Sequence, residues 1–327
     1  QELADTIAAN MPDYRVICFH SRLISTDRAS IERELTELVG KKSTCEKRDK
    51  LIVVGTQVLE QSLDIDFDYM ITELCPMDLL LQRSGRLHRH NRTRPYKLSE
   101  PELCVLIPED FSKGVYSGWI LTQTEKYLPD KLVIPGCIPE LVGAVYSEPD
   151  NDEQQTAAYD KYKKKQKAKK DRAEKYCIKS TIIKVNNATL VDIIDRRQLN
   201  NDSDGEAAVR DGQETIETLV LVKTSDTEYS LFSRGAVFDI TSEPDNAQAK
   251  LIAKQRLRLP AFFSKSYNFG KTVEILANAM PQAWRNAKWL KGEILLLLDG
   301  NNEISLLGRT YKYSTERGFE EIKEEES

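Results

Sequence analysis

Three arginines stand three residues apart in Gln82-Arg83-Ser84-Gly85-Arg86-Leu87-His88-Arg89. On a helix this i, i+3, i+6 spacing predicts a single ridge. Three guanidiniums on one ridge repel one another unless an anion lies among them. The arginine fork matches phosphate oxygens and keeps its charge when partly buried. The chemistry so implied is a polyphosphate site, with Arg86 and Arg89 on the terminal phosphate and Gly85 allowing close approach to the backbone. Taken alone, the spacing fits a solvated arginine face on a surface helix equally well.

A second stretch lies upstream: Thr56-Gln57-Val58-Leu59-Glu60-Gln61-Ser62-Leu63-Asp64-Ile65-Asp66, with Asp64 eighteen residues before Gln82. Thr56 stands just past an apolar run, 51–55, that reads as a strand. Open parallel sheets bind ligands outside the carboxyl ends of their strands. Thr56 and Gln57 can offer hydroxyl, amide and backbone N–H groups to a phosphate. Asp64 can take a ribose hydroxyl. Asp64, Asp66 and Asp68 fit a turn with capping aspartates as well.

The elements that must position these groups show two periodicities. Short apolar runs at 14–19, 51–54, 69–72 and 103–107 predict strands covered on both faces. Between them Ile31, Leu35 and Leu38 predict a helix that Gly40 stops, and Leu79–Leu81 begin another after Pro76. This order argues a parallel sheet with helices on both sides. Beyond Pro108, helices are expected at 113–128, 138–146 and 159–176, the last strongly basic. Asn200–Gly205 reads as a loop. Strands are expected at 215–223, 228–232 and 293–298, with Gly300–Asn301 turning a hairpin into 304–307.

Lys and Arg number 47 against 52 Asp and Glu, a net charge of −5, which excludes a uniformly basic nucleic-acid coat but not a local basic groove. No apolar run is long enough to span a bilayer, so no membrane role is expected. The six cysteines are scattered, without a C-x-x-C pair, and predict a reduced, cytoplasmic setting. Cys18 and Cys104, in apolar runs, read as small buried hydrophobes. Three histidines argue against a histidine-rich metal centre.

Together the two stretches are far more specific than either alone. They resemble motifs V and VI of superfamily 2 helicases, and in detail the helicase–nuclease of type I CRISPR interference. Phe19-His20-Ser21-Arg22 with Arg28 and Ile31-Glu32 resembles that family's motif IV. Arg256–Pro260, Gly292–Asp299 and Gly308–Gly318 are similar to its C-terminal domain. The likeness is strong over 14–95 and looser over 206–320. It implies an α/β fold: a RecA-like lobe over 1–115, a helical extension and basic linker helix over 116–177, and a smaller α+β domain over 178–327.

The resemblance also implies roles. Gln82, Arg86 and Arg89 face the γ-phosphate of ATP. Asp64 faces the ribose, and Arg83 the nucleotide or, in preference, a bracing contact within the motif. Thr56, Gln57, Ser21 and Arg22 face single-stranded DNA, and Ser62 stands where many relatives have Gly. His88 and His90 fit either nucleotide contact or plain packing. The basic helix fits a solvated linker, or a wall beside DNA on which Tyr159, Tyr162 and Tyr176 stack.

The phosphate loop G-x-x-x-x-G-K-[ST] is not found; Phe269-Gly270-Lys271-Thr272 imitates only its end, with Lys265 where the first glycine belongs. Neither D-E-x-H nor a His-Asp dipeptide occurs. The expected function is therefore the C-terminal half of an ATP-dependent DNA helicase, inactive alone. Mg²⁺ would be held by another lobe. The implied partners are that lobe with its nuclease domain, single-stranded DNA and a crRNA-guided surveillance complex. Two other readings stay open: a non-catalytic nucleic-acid adaptor, and a DEAH-like helicase acting on RNA.

Overall fold

This computed structural model describes residues 1–60, 63–148, 156–174, 215–232 and 235–322. The chain forms two compact units: 1–70 with 85–102 and 213–327, and 71–84 with 103–212.

In the first unit, α1 (Glu2–Asn10) leads into β1 (Arg15–Phe19), α2 (Ser25–Val39), α3 (Cys45–Arg48) and β2 (Leu51–Gly55). β1 and β2 pair in parallel, from Arg15 opposite Leu51 to Phe19 opposite Gly55. Ile17, Phe19, Leu35, Val39 and Ile65 form the core beneath them. The predicted helix stop holds: Gly40 caps α2, and its N–H donates to Thr36 O.

The same unit takes in most of the C-terminal strands. β5 (Glu217–Lys223) pairs with β6 (Glu228–Ser230), β8 (Arg256–Arg258) and, in parallel, β9 (Leu295–Leu298); β7 (Val237–Asp239) extends β6. Alternation along β5 sends Val220 and Val222 to one core and Leu219 and Leu221 to another. The second core includes α8 (Asn246–Ala253) and the buried Trp284. α9 (Ser266–Ala279) contains the Gly270-Lys271-Thr272 imitation in its interior, where Thr272 is buried and its hydroxyl donates to Asn268 O. Helical backbone donors there are already used, so no phosphate cradle exists.

The expected hairpin at Gly300–Asn301 is a correction. The turn forms, but β10 (Glu303–Leu306) pairs with β11 (Arg309–Ser314) and not with β9. The two-residue hairpin turn is Leu307–Gly308, with φ of 51° and 77°, the conformation that joins twisted strands. β12 (Gly318–Glu321) completes this antiparallel meander.

The second unit holds β3 (Tyr69–Glu73), paired with β4 (Glu102–Leu106), and helices α4 (Met77–Ser84), α5 (Gly118–Tyr127), α6 (Ile138–Tyr146) and α7 (Ala157–Glu174). Helix α5 starts later than expected, a short 3-10 turn occupying Phe111–Lys113. Met77, Leu81, Trp119, Ile120, Val145 and Tyr159 form its core. Tyr159 is 7% exposed, its ring 4.9 Å from that of Trp119, so it is a packing residue and not a base-stacking one. Tyr176 lies outside the described residues, as do Ser62 and the 200–205 loop. Among the described cysteines, Cys18 and Cys104 are half-buried and Cys75 is fully buried. Among the described residues no helix is long and apolar enough to cross a membrane.

Candidate nucleotide-binding site

Ile65 anchors the acidic stretch by burying its side chain in the lobe core and bridging Gly40. Two residues on, Phe67 bridges Leu87: its N–H donates to Arg86 O at 2.9 Å, and His88 N–H donates back to Phe67 O at 3.0 Å. This backbone pairing joins the two motif stretches. The chain then reverses at His88, whose φ is 49°.

A buried charge network fixes the reversal. Asp66 is fully buried, and its Oδ1 accepts the Arg89 backbone N–H at 2.9 Å. Arg92 Nε lies 2.7 Å and Arg94 Nη2 2.9 Å from its carboxylate. Asp68 pairs with Arg48 at 2.6 Å and with Arg94. Carboxylates persist in such places only when paired and hydrogen-bonded. Asp66 and Asp68 are thus more than the capping aspartates their sequence suggested.

The outcome is a cluster of Arg86, Arg89 and Asp64. Arg89 Nε donates to Asp64 Oδ1 at 2.7 Å, and His90 Nε2 lies 3.1 Å from the same oxygen. The side chains of Arg89 and Asp64 are 43% and 52% exposed, so the pair faces solvent. Arg86 donates to Leu63 O and, at 3.1 Å, to Glu60 O, which uses two of its five donors. The hydrogen bond from Arg89 holds the Asp64 carboxyl below its usual range, with His90 adding to the effect. Burial, then the charge of Arg89, pulls the Arg86 guanidinium below its usual value, and Asp64 opposes them. Two guanidiniums beside one carboxylate leave a net positive rim with unused N–H donors, which fits a phosphate group.

The single arginine ridge is a second correction. Helix α4 ends at Ser84, so Arg83 is helical, whereas Arg86 and Arg89 lie on the loop that the Phe67 bridge draws out. Arg83 donates to Thr72 Oγ1 at 2.6 Å and approaches Glu73 O and Tyr116 Oη. These contacts suit a brace within the motif. Gln82 is exposed on the last turn of α4. Gln82 and Arg83 belong to the second unit, Arg86 and Arg89 to the first.

The remaining predicted residues share one edge. Parallel register between β1 and β2 makes Ser21–Arg22 and Thr56–Gln57 leave from adjacent carboxyl ends, with Thr56 N–H donating to Phe19 O at 3.2 Å. All four are exposed. Sequence reasoning missed Arg48, Arg92 and Arg94. The signal available was the alternation of 64, 66 and 68 against Arg92-Thr93-Arg94, which offered charge complementarity but not pairing.

Fold and site together define an α/β lobe of the RecA-like helicase type with an accessory C-terminal region. The family described as CRISPR-associated nuclease/helicase Cas3, C-terminal, matches residues 1–92, and the Cas3 C-terminal domain matches 210–319. A Cas3 nuclease/helicase of Streptococcus thermophilus is 37% identical over 97% of this chain and 36% of its own length. An Escherichia coli Cas3 endonuclease/helicase is 29% identical over 76% of this chain and 27% of its own length. The crystal structure of T. fusca Cas3-ATP superposes with a TM-score of 0.76 at 22% identity, covering 97% of this chain and 37% of that one. A CRISPR RNA-guided surveillance complex, pre-nicking, gives 0.66 at 22% identity over 98% of this chain and 39% of that one. The chain belongs to the Cas3 helicase family as its C-terminal part, and spans about a third of the length of the S. thermophilus relative.

Proposed function

We propose that this chain is the second motor lobe and C-terminal domain of an ATP-dependent translocase on single-stranded DNA. It would work in the cytoplasm with an N-terminal lobe, a nuclease domain and a crRNA-guided surveillance complex, driving target DNA degradation. The observation that carries the reading is the solvent-facing cluster of Arg86, Arg89 and Asp64, built by the Phe67–Leu87 bridge and the Asp66 network. In it Arg86 and Arg89 present donors to the terminal phosphate of ATP, where charge develops, and Asp64 receives a ribose hydroxyl. Gln82 stands four residues before Arg86 in sequence and completes the motif. Mg²⁺ belongs to the other lobe. Ser21, Arg22, Thr56 and Gln57 hold DNA phosphates at the edge of β1 and β2.

The test is DNA-stimulated ATPase after reconstitution with the N-terminal part. Arginines acting on a transferring phosphoryl group contribute about 10³–10⁵ in rate, so Arg86→Ala and Arg89→Ala should each lose most of the activity. Parent-level ATPase in both variants would leave the chain as a DNA-binding adaptor. Competition between single-stranded DNA and RNA decides the substrate.

A further inference from the structure

The loop 20–24, between β1 and α2, carries Ser21 and Arg22 with both side chains exposed. Its backbone polar groups are held from the C-terminal strands of the same unit. Arg22 O accepts the Phe319 N–H at 2.8 Å. Ile24 N–H donates to the hydroxyl of Tyr313 at 3.0 Å, and that hydroxyl donates to Asp27 Oδ2 at 2.6 Å. Arg22 N–H donates to His20 Nδ1 at 3.1 Å. Tyr313 and Ile24 are both fully buried, and Ile24 packs in the core formed by Tyr311, Tyr313 and Phe319.

Gly318 makes the closest approach. Its φ is 64°, and a Cβ there would lie 2.3 Å from Arg22 O and 2.7 Å from His20 Cε1. Only glycine brings β12 this near the loop. Burial and Asp27 raise the Tyr313 phenol far above its usual value, so its proton stays in place to donate.

We infer that the β11–β12 hairpin is the positioning element of the 20–24 loop, with Tyr313, Gly318 and Phe319 fixing its backbone so that Ser21 and Arg22 meet DNA pre-ordered. The hairpin tunes DNA affinity through a loop on the motor lobe, without touching DNA itself. Ordering before binding removes that entropic cost from the binding step. This rests on the proposed role of Ser21 and Arg22, and the test separates the two.

The full chain is titrated with a fluorescent oligo-dT, and amide exchange is followed in the peptide over 20–27. Tyr313→Phe removes the acceptor of Ile24 N–H and the donor to Asp27. Faster exchange in that peptide and a Kd about tenfold weaker are expected, the loss of about one charge-assisted hydrogen bond. The weakening should vanish in a Ser21→Ala/Arg22→Ala background, because both changes act through one loop. Gly318→Ala, which pushes on Arg22 O, should reproduce the pattern, and it serves where Tyr313→Phe does not fold. A double alanine variant with parent affinity, or a parent chain that does not bind, overturns the DNA reading of Ser21 and Arg22. A weakened double alanine variant beside an unaffected Tyr313→Phe, or additive losses, overturns the positioning role and leaves that reading standing.

Discussion

Asp64 and Asp66 are two residues apart and do opposite work. Asp64 is exposed and shares its oxygen with Arg89 and His90, where a ligand can compete for the cations. Asp66 is fully buried, accepts a backbone N–H and pairs with Arg92 and Arg94, themselves almost covered. Deleting one partner of a buried pair leaves the others uncompensated and costs about 3–5 kcal/mol. Asp66→Ala should therefore lower the denaturant midpoint sharply and reduce ATPase, because the Arg89 main chain loses its anchor. Asp64→Ala should leave the midpoint near that of the parent while changing nucleotide dependence. Equal midpoints for the two variants would refute this division of labour.

At the scale of elements, the strands and helices of the lobe were legible because short continuous apolar runs mark the strands, and because Gly40 and Pro76 mark ends. What escaped was whatever depends on distant partners. Gly85 carries the same stop signal as Gly40, yet nothing local shows where Arg86 and Arg89 go beyond it, since the Phe67 bridge decides that. Nor does β10 announce a partner other than β9. The loop 20–24 is a third case: His20 reads as a motif residue, yet it is a buried hydrogen-bond acceptor. Burial, with the charge of Arg22, lowers its pKa from 6.5, and the carbonyl of Arg317 opposes them. A depressed histidine contributes stability that is present above its unfolded pKa and lost as pH falls through the folded one. Protonating Nδ1 would also break the bond from Arg22 N–H. The melting temperature and oligo-dT affinity should both fall as pH drops from 7 to 5. His20→Asn, which keeps an acceptor near Nδ1, should flatten both profiles; an unchanged pH slope in that variant would exclude His20 as the titrating group.

At the scale of the whole molecule, two separately recognisable sequence regions share a core. The family matches cover 1–92 and 210–319, as two domains would, yet Ile24 lies in one cluster with Val220, Leu257, Tyr313 and Phe319. Ser25 Oγ also donates to Arg256 O at 3.1 Å, and Arg317 pairs with Asp5 at 2.9 Å. Cooperative units of this kind open together. The amides of β1 and of β5 should therefore exchange through a common opening, with one free energy and one denaturant dependence. A chain ending at residue 212 removes the partners of Ile24, about 1.5–3 kcal/mol of burial from that side chain alone. It should lose protection in β1 and bind oligo-dT poorly, although every proposed DNA and nucleotide residue is still present. Two distinct opening energies, or a truncated chain with native protection in β1, would mean that lobe and C-terminal region fold independently.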